Sequence, residues 1–189
     1  QMCIRDRRES DREKLVRIAP GIDTEHFAPQ AISREIRTTL GLDEKKVIFS
    51  VGRLVHRKGQ DILIEALPEI AEAIPDVHLL FVGEGPYRAE LNKRIKKLGM
   101  RERVTFIGRV QFAELPKYLS AGDIFAMPSR SRLAGLEVEG LGIVYLEASA
   151  CGLAVLGGNS GGAPDAVLQA QTGFSVDGTS ISEVAAAAI

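Results

Sequence analysis

The sequence has little of several features that mark common classes of protein. Its two cysteines, Cys3 and Cys151, stand in unrelated contexts, and no Cys/His cluster has the spacing of zinc ligands. No apolar run reaches the roughly 18 residues that span a bilayer, and the charged residues 1–12 do not resemble a secretory signal. The formal net charge of −1 offers no electrostatic footprint for nucleic acid. We therefore expect a globular protein of a reducing, cytoplasmic compartment, without a nucleic-acid partner.

Two motifs of phosphate-handling enzymes are also missing. The chain has no Asp-x-Asp pair of the kind that holds a divalent metal, and no Gly-x-x-x-x-Gly-Lys loop. Neither a magnesium-dependent transferase nor a P-loop NTPase is therefore supported, and no metal site is predicted.

Short apolar runs alternate with stretches of helical periodicity along most of the chain. Residues 1–19 match nothing downstream, so we interpret them as an extraneous or interdomain segment and expect one domain over residues 20–189, truncated at its carboxyl end. Continuous apolar strands separated by helices are typical of a parallel sheet buried on both faces. The sequence therefore predicts an α/β, Rossmann-like sheet with helices on both faces. Strands are predicted at residues 47–51, 77–82, 104–107, 124–127, 153–156 and 173–176.

The segment from Glu139 to Glu147 joins a glycine-containing loop to a predicted helix. Good helix formers follow Gly142, so the helix is expected to begin there. The first amides of a helix have no internal partner and lie at the positive end of its dipole, so the backbone of Gly142, Ile143 and Val144 is suited to a phosphate. Glu139 would then point at the group attached to that phosphate, and Glu147 at another part of the same ligand, such as a ribose.

Two glutamates also suggest a glycosidase, in which the carboxyl pair flanks one bond at about 5 to 9.5 Å. A helical rise of about 1.5 Å per residue over eight positions separates such a pair by roughly 12 Å. We therefore interpret Glu139 and Glu147 as ligand-holding groups, beside the simpler alternative of a loop charge and a solvated helix residue. Arg130 and Arg132 precede this loop and either order it or contact another domain.

A basic loop, Gly52-Arg53-Leu54-Val55-His56-Arg57-Lys58-Gly59, follows the first predicted strand. Arg53 and Lys58 lie between a strand end and a helix start, where a guanidinium and an ammonium can converge on a diphosphate in place of a metal. A merely solvated loop is the alternative. Because ligands bind at the carboxyl ends of the strands in such sheets, the position of the loop favours diphosphate binding.

Several segments occur together in one order along the chain. They are Gly52-Arg53 with Lys58-Gly59, Val82-Gly83-Glu84-Gly85-Pro86, Phe106-Ile107-Gly108-Arg109-Val110, Pro128-Ser129, the Glu-x7-Glu segment and Gly161-Gly162-Ala163-Pro164. These segments, in this order, resemble those of the family 4 retaining glycosyltransferases, and the resemblance covers the chain from about residue 20 to its last residue. The resemblance implies the carboxyl-terminal, donor-binding half of a two-domain, metal-independent enzyme of the B fold. Residues 138–148 look most like the GDP-mannose-dependent mannosyltransferases that modify phosphatidylinositol mannosides and related glycolipids.

The resemblance also implies roles for particular residues. Arg53 and Lys58 would neutralise the donor diphosphate, and Glu139 would contact and position the hexose, so these three are the predicted catalytic residues. The remaining donor contacts would come from Val110 and Phe112 beside the base, Gly142, Ile143 and Val144 at the distal phosphate, and Glu147 at the ribose hydroxyls. The implied reaction retains the anomeric configuration by front-face displacement within an ion pair.

The implied partners are a nucleotide-sugar donor, expected to be GDP-mannose, and a glycolipid or glycan acceptor held by a missing amino-terminal half. Residues 20–24 and 27–29 resemble the crossover between the halves, so the chain by itself is expected to bind donor without catalysing transfer. The resemblance allows peripheral contact of the full-length enzyme with the inner face of the cell membrane. Alternatives are a non-catalytic nucleotide-sugar-binding module, an inactive fragment, a family member using a UDP-sugar, or a Rossmann oxidoreductase. The incomplete glycine fingerprint at residues 83–85 argues against the oxidoreductase.

Overall fold

The structure, a computed structural model, describes residues 20–29 and 33–189. Within these ranges, six strands form one sheet in the order β3-β2-β1-β4-β5-β6, with every pair parallel. The strands are β1 (Lys46–Val51), β2 (Val77–Val82), β3 (Val104–Gly108), β4 (Ile124–Met127), β5 (Ala154–Gly158) and β6 (Gly173–Val176). The expectation for residues 1–19 lies outside the described residues.

Helices connect or flank these strands. They are α1 (Arg34–Leu40), α2 (Gln60–Ala73), α3 (Arg88–Leu98), α4 (Leu115–Leu119), α5 (Ile143–Ala150) and α6 (Ile181–Ala188). Local sequence accounts for several of their ends. Ser180 caps α6 by accepting a hydrogen bond from the backbone N–H of Glu183 at 3.2 Å. Gly99 ends α3 in the left-handed conformation, as its sequence predicts.

Alternation along the strands builds a hydrophobic core on each face of the sheet. Val47 and Phe49 of β1 pack into the cluster that contains Tyr145 of α5, whereas Ile48 packs into the cluster that contains Leu63 of α2. Neighbouring side chains on a strand point to opposite faces, so a strand buried on both sides is apolar throughout. The predicted sheet with helices on both faces is therefore confirmed.

Element boundaries differ from the sequence expectations at a few places. Residues 112–119 form a 3-10 turn at Phe112–Glu114 followed by the helix α4, with Pro116 in its first turn. Proline at that position suits a helix start because its missing N–H has no intrahelical role there. Strand β5 continues to Gly158 because Gly157 and Gly158 still pair with β6. Helix α1 was not predicted, since seven residues are too few to show a clear apolar period.

The strand order creates a crevice at the carboxyl edge of the sheet. The chain runs outward from β1 through β2 to β3 and then crosses back to β4, on the other side of β1. The loops after β1 and β4 therefore leave in opposite directions, and such topological switch points are where open α/β sheets bind ligands. The basic loop follows β1, and residues 128–130 follow β4.

Candidate functional site

The basic loop after β1 lies directly against the end of β4. His56–Lys58 form a 3-10 turn that ends at Gly59, whose φ of 77° is left-handed. A Cβ at Gly59 would lie 2.0 Å from the carbonyl oxygen of Pro128. Only glycine permits this approach, and the turn is thereby held at the switch-point crevice.

Lys58 and Glu139 meet in an ion-pair cluster. Lys58 Nζ lies 3.0 Å from Glu139 Oε2, and Arg57 Nη1 donates to the same oxygen at 2.7 Å. Glu139 is only 6% exposed. Burial lowers the pKa of Lys58, and the Glu139 carboxylate acts in the opposite direction. Two of the predicted catalytic residues are therefore adjacent, and Arg57, to which the sequence reasoning assigned no role, joins them.

A second loop holds the backbone of the glutamate loop. Ser160 Oγ accepts a hydrogen bond from the Glu139 N–H at 2.9 Å, and the Gly162 N–H donates to the Gly140 carbonyl at 2.7 Å. Gly161 has a φ of +57°, and a Cβ there would lie 1.8 Å from the Glu139 carbonyl oxygen. The small residues after β5 therefore determine where Glu139 sits. Ser160 was missed in the sequence because a single buried serine leaves no pattern.

Helix α5 begins beside this cluster. Gly142 lies at its N-cap with a φ of 72°, and a Cβ there would lie 2.4 Å from Tyr145 Cε2 and 3.6 Å from Glu139 Cγ. The fully buried Tyr145 donates its hydroxyl hydrogen bond to the Met127 carbonyl at 2.6 Å and lies 2.9 Å from Ser129 Oγ. Burial raises the pKa of Tyr145. The helix start predicted at Gly142 is confirmed, and Tyr145 attaches it to the end of β4.

Glu147 lies further along the same helix, near a small aromatic group. The residue is 9% exposed, and burial raises the pKa of its carboxyl group while His26 opposes that shift. The His26 ring stacks on Phe112 with centroids 4.9 Å apart, and its Nε2 lies 3.2 Å from the Phe112 carbonyl oxygen. Phe112 itself is 65% exposed. Two residues expected to hold the nucleoside thus share His26 as a neighbour.

Arg53 and Val110 stand apart from the ion-pair cluster. The Arg53 side chain is exposed, and its carbonyl accepts a hydrogen bond from Gln60 Nε2 at 3.4 Å. Within the described ranges, the structure shows no ion pair of Arg53 with Glu139. Val110 is partly buried against the core cluster that contains Tyr145. Their donor contacts stay predictions.

Arg132 and Arg130 have different partners. Arg132 Nη1 lies 2.7 Å from Glu137 Oε2 and closes the exposed turn that precedes Glu139, so it orders this loop. Arg130 is buried and instead pairs with Asp61 in the first turn of α2.

The described residues include neither a metal-binding cluster nor a membrane-spanning helix. Among residues 20–29 and 33–189, no group of three or more His, Cys, Asp or Glu side chains could hold a metal ion. The helices in these ranges include none with the length and apolar character needed to cross a membrane.

The sequence matches a known family over most of its length. Residues 32–189 match the family described as "Glycosyl transferases group 1". The chain belongs to this family. It is 49% identical over 174 residues to the "GDP-mannose-dependent alpha-(1-6)-phosphatidylinositol monomannoside mannosyltransferase" of Mycolicibacterium smegmatis, covering 92% of this chain and 46% of that protein. It is 45% identical over 167 residues to the corresponding "monoacylated" monomannoside enzyme of Corynebacterium glutamicum, covering 87% and 43%. The chain thus spans about half the length of these curated relatives.

Solved structures show the same fold in this glycosyltransferase family. HepE of Anabaena, in complex with UDP and glucose, aligns with a TM-score of 0.77 at 31% identity over 89% of this chain and 45% of that one. The carboxyl-terminal domain of the group 1 glycosyltransferase LpcC from Francisella tularensis aligns with a TM-score of 0.75 at 27% identity over 88% and 85%. The predicted fold, the Rossmann-like carboxyl-terminal half of a B-fold glycosyltransferase, is confirmed.

Proposed function

We propose that this chain is the donor-binding half of a retaining mannosyltransferase. The full-length enzyme would transfer mannose from GDP-mannose to a glycolipid or glycan held by an amino-terminal half outside this sequence. Relatives of 45–49% identity that carry GDP-mannose-dependent names support the donor and acceptor classes. The observation that carries the proposal is the convergence of Lys58, Glu139 and the start of α5 at the switch point of the sheet.

The cations and the helix start would act on the leaving group. Breaking the bond between sugar and phosphate places negative charge on the departing GDP, so groups that bind this charge lower the barrier. Lys58 pairs with Glu139 beside the end of β4, and the exposed Arg53 side chain would turn toward the diphosphate. The first amides of α5, at Gly142, Ile143 and Val144, would bind the distal phosphate.

The two glutamates would hold the sugars on either side of the diphosphate. Glu139, beside Lys58, would contact the mannose, whereas Glu147, with His26 and Phe112 nearby, would accept hydrogen bonds from the ribose hydroxyls. The acceptor hydroxyl would attack the anomeric carbon on the face from which GDP departs and would pass its proton to the departing phosphate oxygen, giving retention without an enzyme nucleophile. The resemblance to this family implies a metal-independent reaction, so chelation of divalent cations is expected to leave mannose transfer unchanged.

Donor binding is testable on this chain by calorimetry with GDP, GDP-mannose and UDP-glucose. We expect binding of both guanosine compounds and weaker binding of UDP-glucose. HepE, which was solved with UDP and glucose, makes a UDP-sugar the second candidate donor. A clear preference for UDP-glucose would overturn the GDP-mannose assignment.

Transfer is testable once the chain is joined to its amino-terminal half. Arg53→Ala and Lys58→Ala should each reduce mannose transfer by orders of magnitude, because each removes a charge expected to stabilise the leaving group. Lys93→Ala is a matched control, since Lys93 Nζ is 4.0 Å from Glu90 and its side chain is 79% exposed on α3. Near-normal transfer by both variants would remove the diphosphate role, and no transfer by the unaltered joined protein would favour the non-catalytic module.

A further inference from the structure

A buried polar network lies behind the basic loop, and its centre is Arg130. Arg130 Nη2 donates to Asp61 Oδ2 at 2.7 Å and to His56 Nδ1 at 2.6 Å. The Tyr87 hydroxyl also donates to Asp61 Oδ2, at 3.1 Å. Arg130 is 5% exposed and Asp61 is 2% exposed. Burial and the Arg130 charge lower the pKa of His56, consistent with a neutral ring whose Nδ1 accepts from the guanidinium.

Arg130 holds the loop at more than one point. Its backbone N–H donates to the Arg57 carbonyl at 2.8 Å, while its side chain binds His56 on one side of Arg57 and Asp61 in the first turn of α2. Arg130, in the loop that follows β4, therefore contacts the turn that carries Lys58 and the first turn of the helix behind it. The planar guanidinium is suited to this because it offers several donors in one rigid plane.

The network is costly in itself, which argues for a role other than stability. The side chains of Arg130 and Asp61 are 6% and 3% exposed, so both charges are removed from water. Buried ion pairs can often be replaced by apolar side chains without loss of stability. Such a pair at a switch-point crevice is therefore better explained by the geometry that it imposes on its neighbours.

We propose that Arg130 is a positioning residue that fixes the basic loop for the donor diphosphate. The inference rests on the proposed function. Arg130 does not touch the donor; it keeps the His56–Lys58 turn against the end of β4, so that Lys58 stays within reach of both Glu139 and the phosphates. Without the Arg130 side chain the turn keeps the backbone hydrogen bond from residue 130 to the Arg57 carbonyl, but it loses the side-chain hydrogen bonds to His56 and Asp61 that orient it.

The test compares two buried arginines by GDP calorimetry and thermal unfolding of the chain. Arg130→Met removes the network, and Arg130→Lys keeps a charge but loses the planar fork. Arg37→Met is the matched control. Arg37 is 7% exposed and lies at the amino ends of β1 and β4, opposite the candidate site, where its Nη2 is 2.8 Å from Asp123 Oδ2 and its Nε donates to the Ala121 carbonyl at 3.0 Å. Both methionine variants should unfold at lower temperature, because each removes one partner only and leaves Asp61 or Asp123 without its cation.

Only the Arg130 variants should lose donor affinity. We expect GDP to bind them about tenfold more weakly, because a displaced Lys58 would lose about one charge-assisted contact with the diphosphate. Arg37→Met should bind GDP as the unaltered chain does. In an Asp61→Asn background, Arg130→Met should add little further loss, since both changes break the same network.

Two results would overturn the inference. One is unchanged GDP affinity in Arg130→Lys and Arg130→Met, and the other is an equal loss in Arg37→Met, which would show that general destabilisation is the cause. If Arg130→Met does not fold, Arg130→Lys and Asp61→Asn supply the same comparison. Absence of GDP binding by the unaltered chain would instead refute the proposed function itself.

Discussion

Glutamine at position 139 is the sharpest test of the ion-pair cluster. Glu139→Gln removes one negative charge and keeps the length of the side chain. The same Oε2 atom is 3.0 Å from Lys58 Nζ and 2.7 Å from Arg57 Nη1, so the substitution leaves two cations without their shared counter-charge. The side chains of Lys58 and Glu139 are 11% and 8% exposed, whereas that of Arg57 is 27% exposed.

The magnitude follows from these distances and from burial. Two unit charges 3.0 Å apart attract by about 5.5 kcal/mol at an effective dielectric constant of about 20, before the cost of taking both charges out of water. Removing one partner of a buried pair typically costs about 3 to 5 kcal/mol. Lys58 can relieve part of this by losing its proton, because burial already lowers its pKa and Glu139 is the group that opposes this. We therefore expect the free energy of unfolding to fall by about 3 kcal/mol at neutral pH.

The same substitution should change donor binding and transfer in opposite directions. A diphosphate entering the crevice meets the Glu139 carboxylate as a competitor for Lys58 and as a like charge. Glu139→Gln removes both effects, and a bound diphosphate supplies the negative charge that keeps Lys58 protonated, so GDP should bind about tenfold more tightly, which equals about 1.4 kcal/mol. Mannose transfer by the joined enzyme should nevertheless fall, because the carboxylate proposed to position the sugar is lost.

The assays are urea unfolding followed by circular dichroism, since the chain has no tryptophan, and GDP calorimetry. Glu137→Gln is the control, because Glu137 lies two residues away in an ion pair with Arg132 whose side chains are 32% and 35% exposed. Such a pair contributes up to about 1 kcal/mol. The reasoning is refuted if the two variants lose equal stability, or if Glu139→Gln weakens GDP binding.

Two further predictions concern stability. Tyr145→Phe keeps the ring beneath Gly142 but removes the hydrogen bond to the Met127 carbonyl. The free energy of unfolding should therefore fall by about 1 to 3 kcal/mol, while GDP affinity stays unchanged. Weaker GDP binding by this variant would contradict the prediction. Burial, then the Lys45 and Arg103 charges, lowers the pKa of His78 to about 4. Protonation of His78 therefore favours the unfolded chain. The stability that the neutral ring contributes is present above about pH 6.5 and is lost as pH falls toward 4. Between pH 7.5 and 5, the free energy of unfolding measured with urea should fall by about 2 kcal/mol more in the unaltered chain than in His78→Gln. Parallel curves of this free energy against pH would refute the prediction.

The local sequence pattern was enough to predict where most strands of the sheet lie. Strands β2, β4 and β6 have the predicted bounds because each is a short apolar run that ends in glycine, proline or a polar turn. The start of α5 at Gly142 was also predictable, since helix formers follow a glycine in a loop. Helix α1 was not, because its position depends on Arg37 reaching Asp123, a contact between residues far apart in sequence.

The candidate site was only partly predictable. The basic loop and the glutamate pair were predicted as the sources of ligand contacts. Lys58 does meet Glu139, and the ligand contacts stay predictions. The sequence assigned no role to Arg57, which is the second cation at Glu139 because a 3-10 turn directs it toward the carboxylate, while the Arg53 side chain is exposed. The turn arises from the packing of Gly59 on Pro128, which periodicity cannot show.

The sequence by itself determined the class of fold and the types of side chain brought to one edge of the sheet. Apolar periodicity acts over a few residues, so it can be read directly, and parallel strands place all their following loops at one end. Tertiary structure decided which charges meet. Glu139 receives two cations, and Arg130 turns to Asp61 rather than to the glutamate loop, because close backbone approaches at Gly59 and Gly161 set the loops against one another. Such contacts depend on fractions of an ångström between segments distant in the chain, and no local pattern records them.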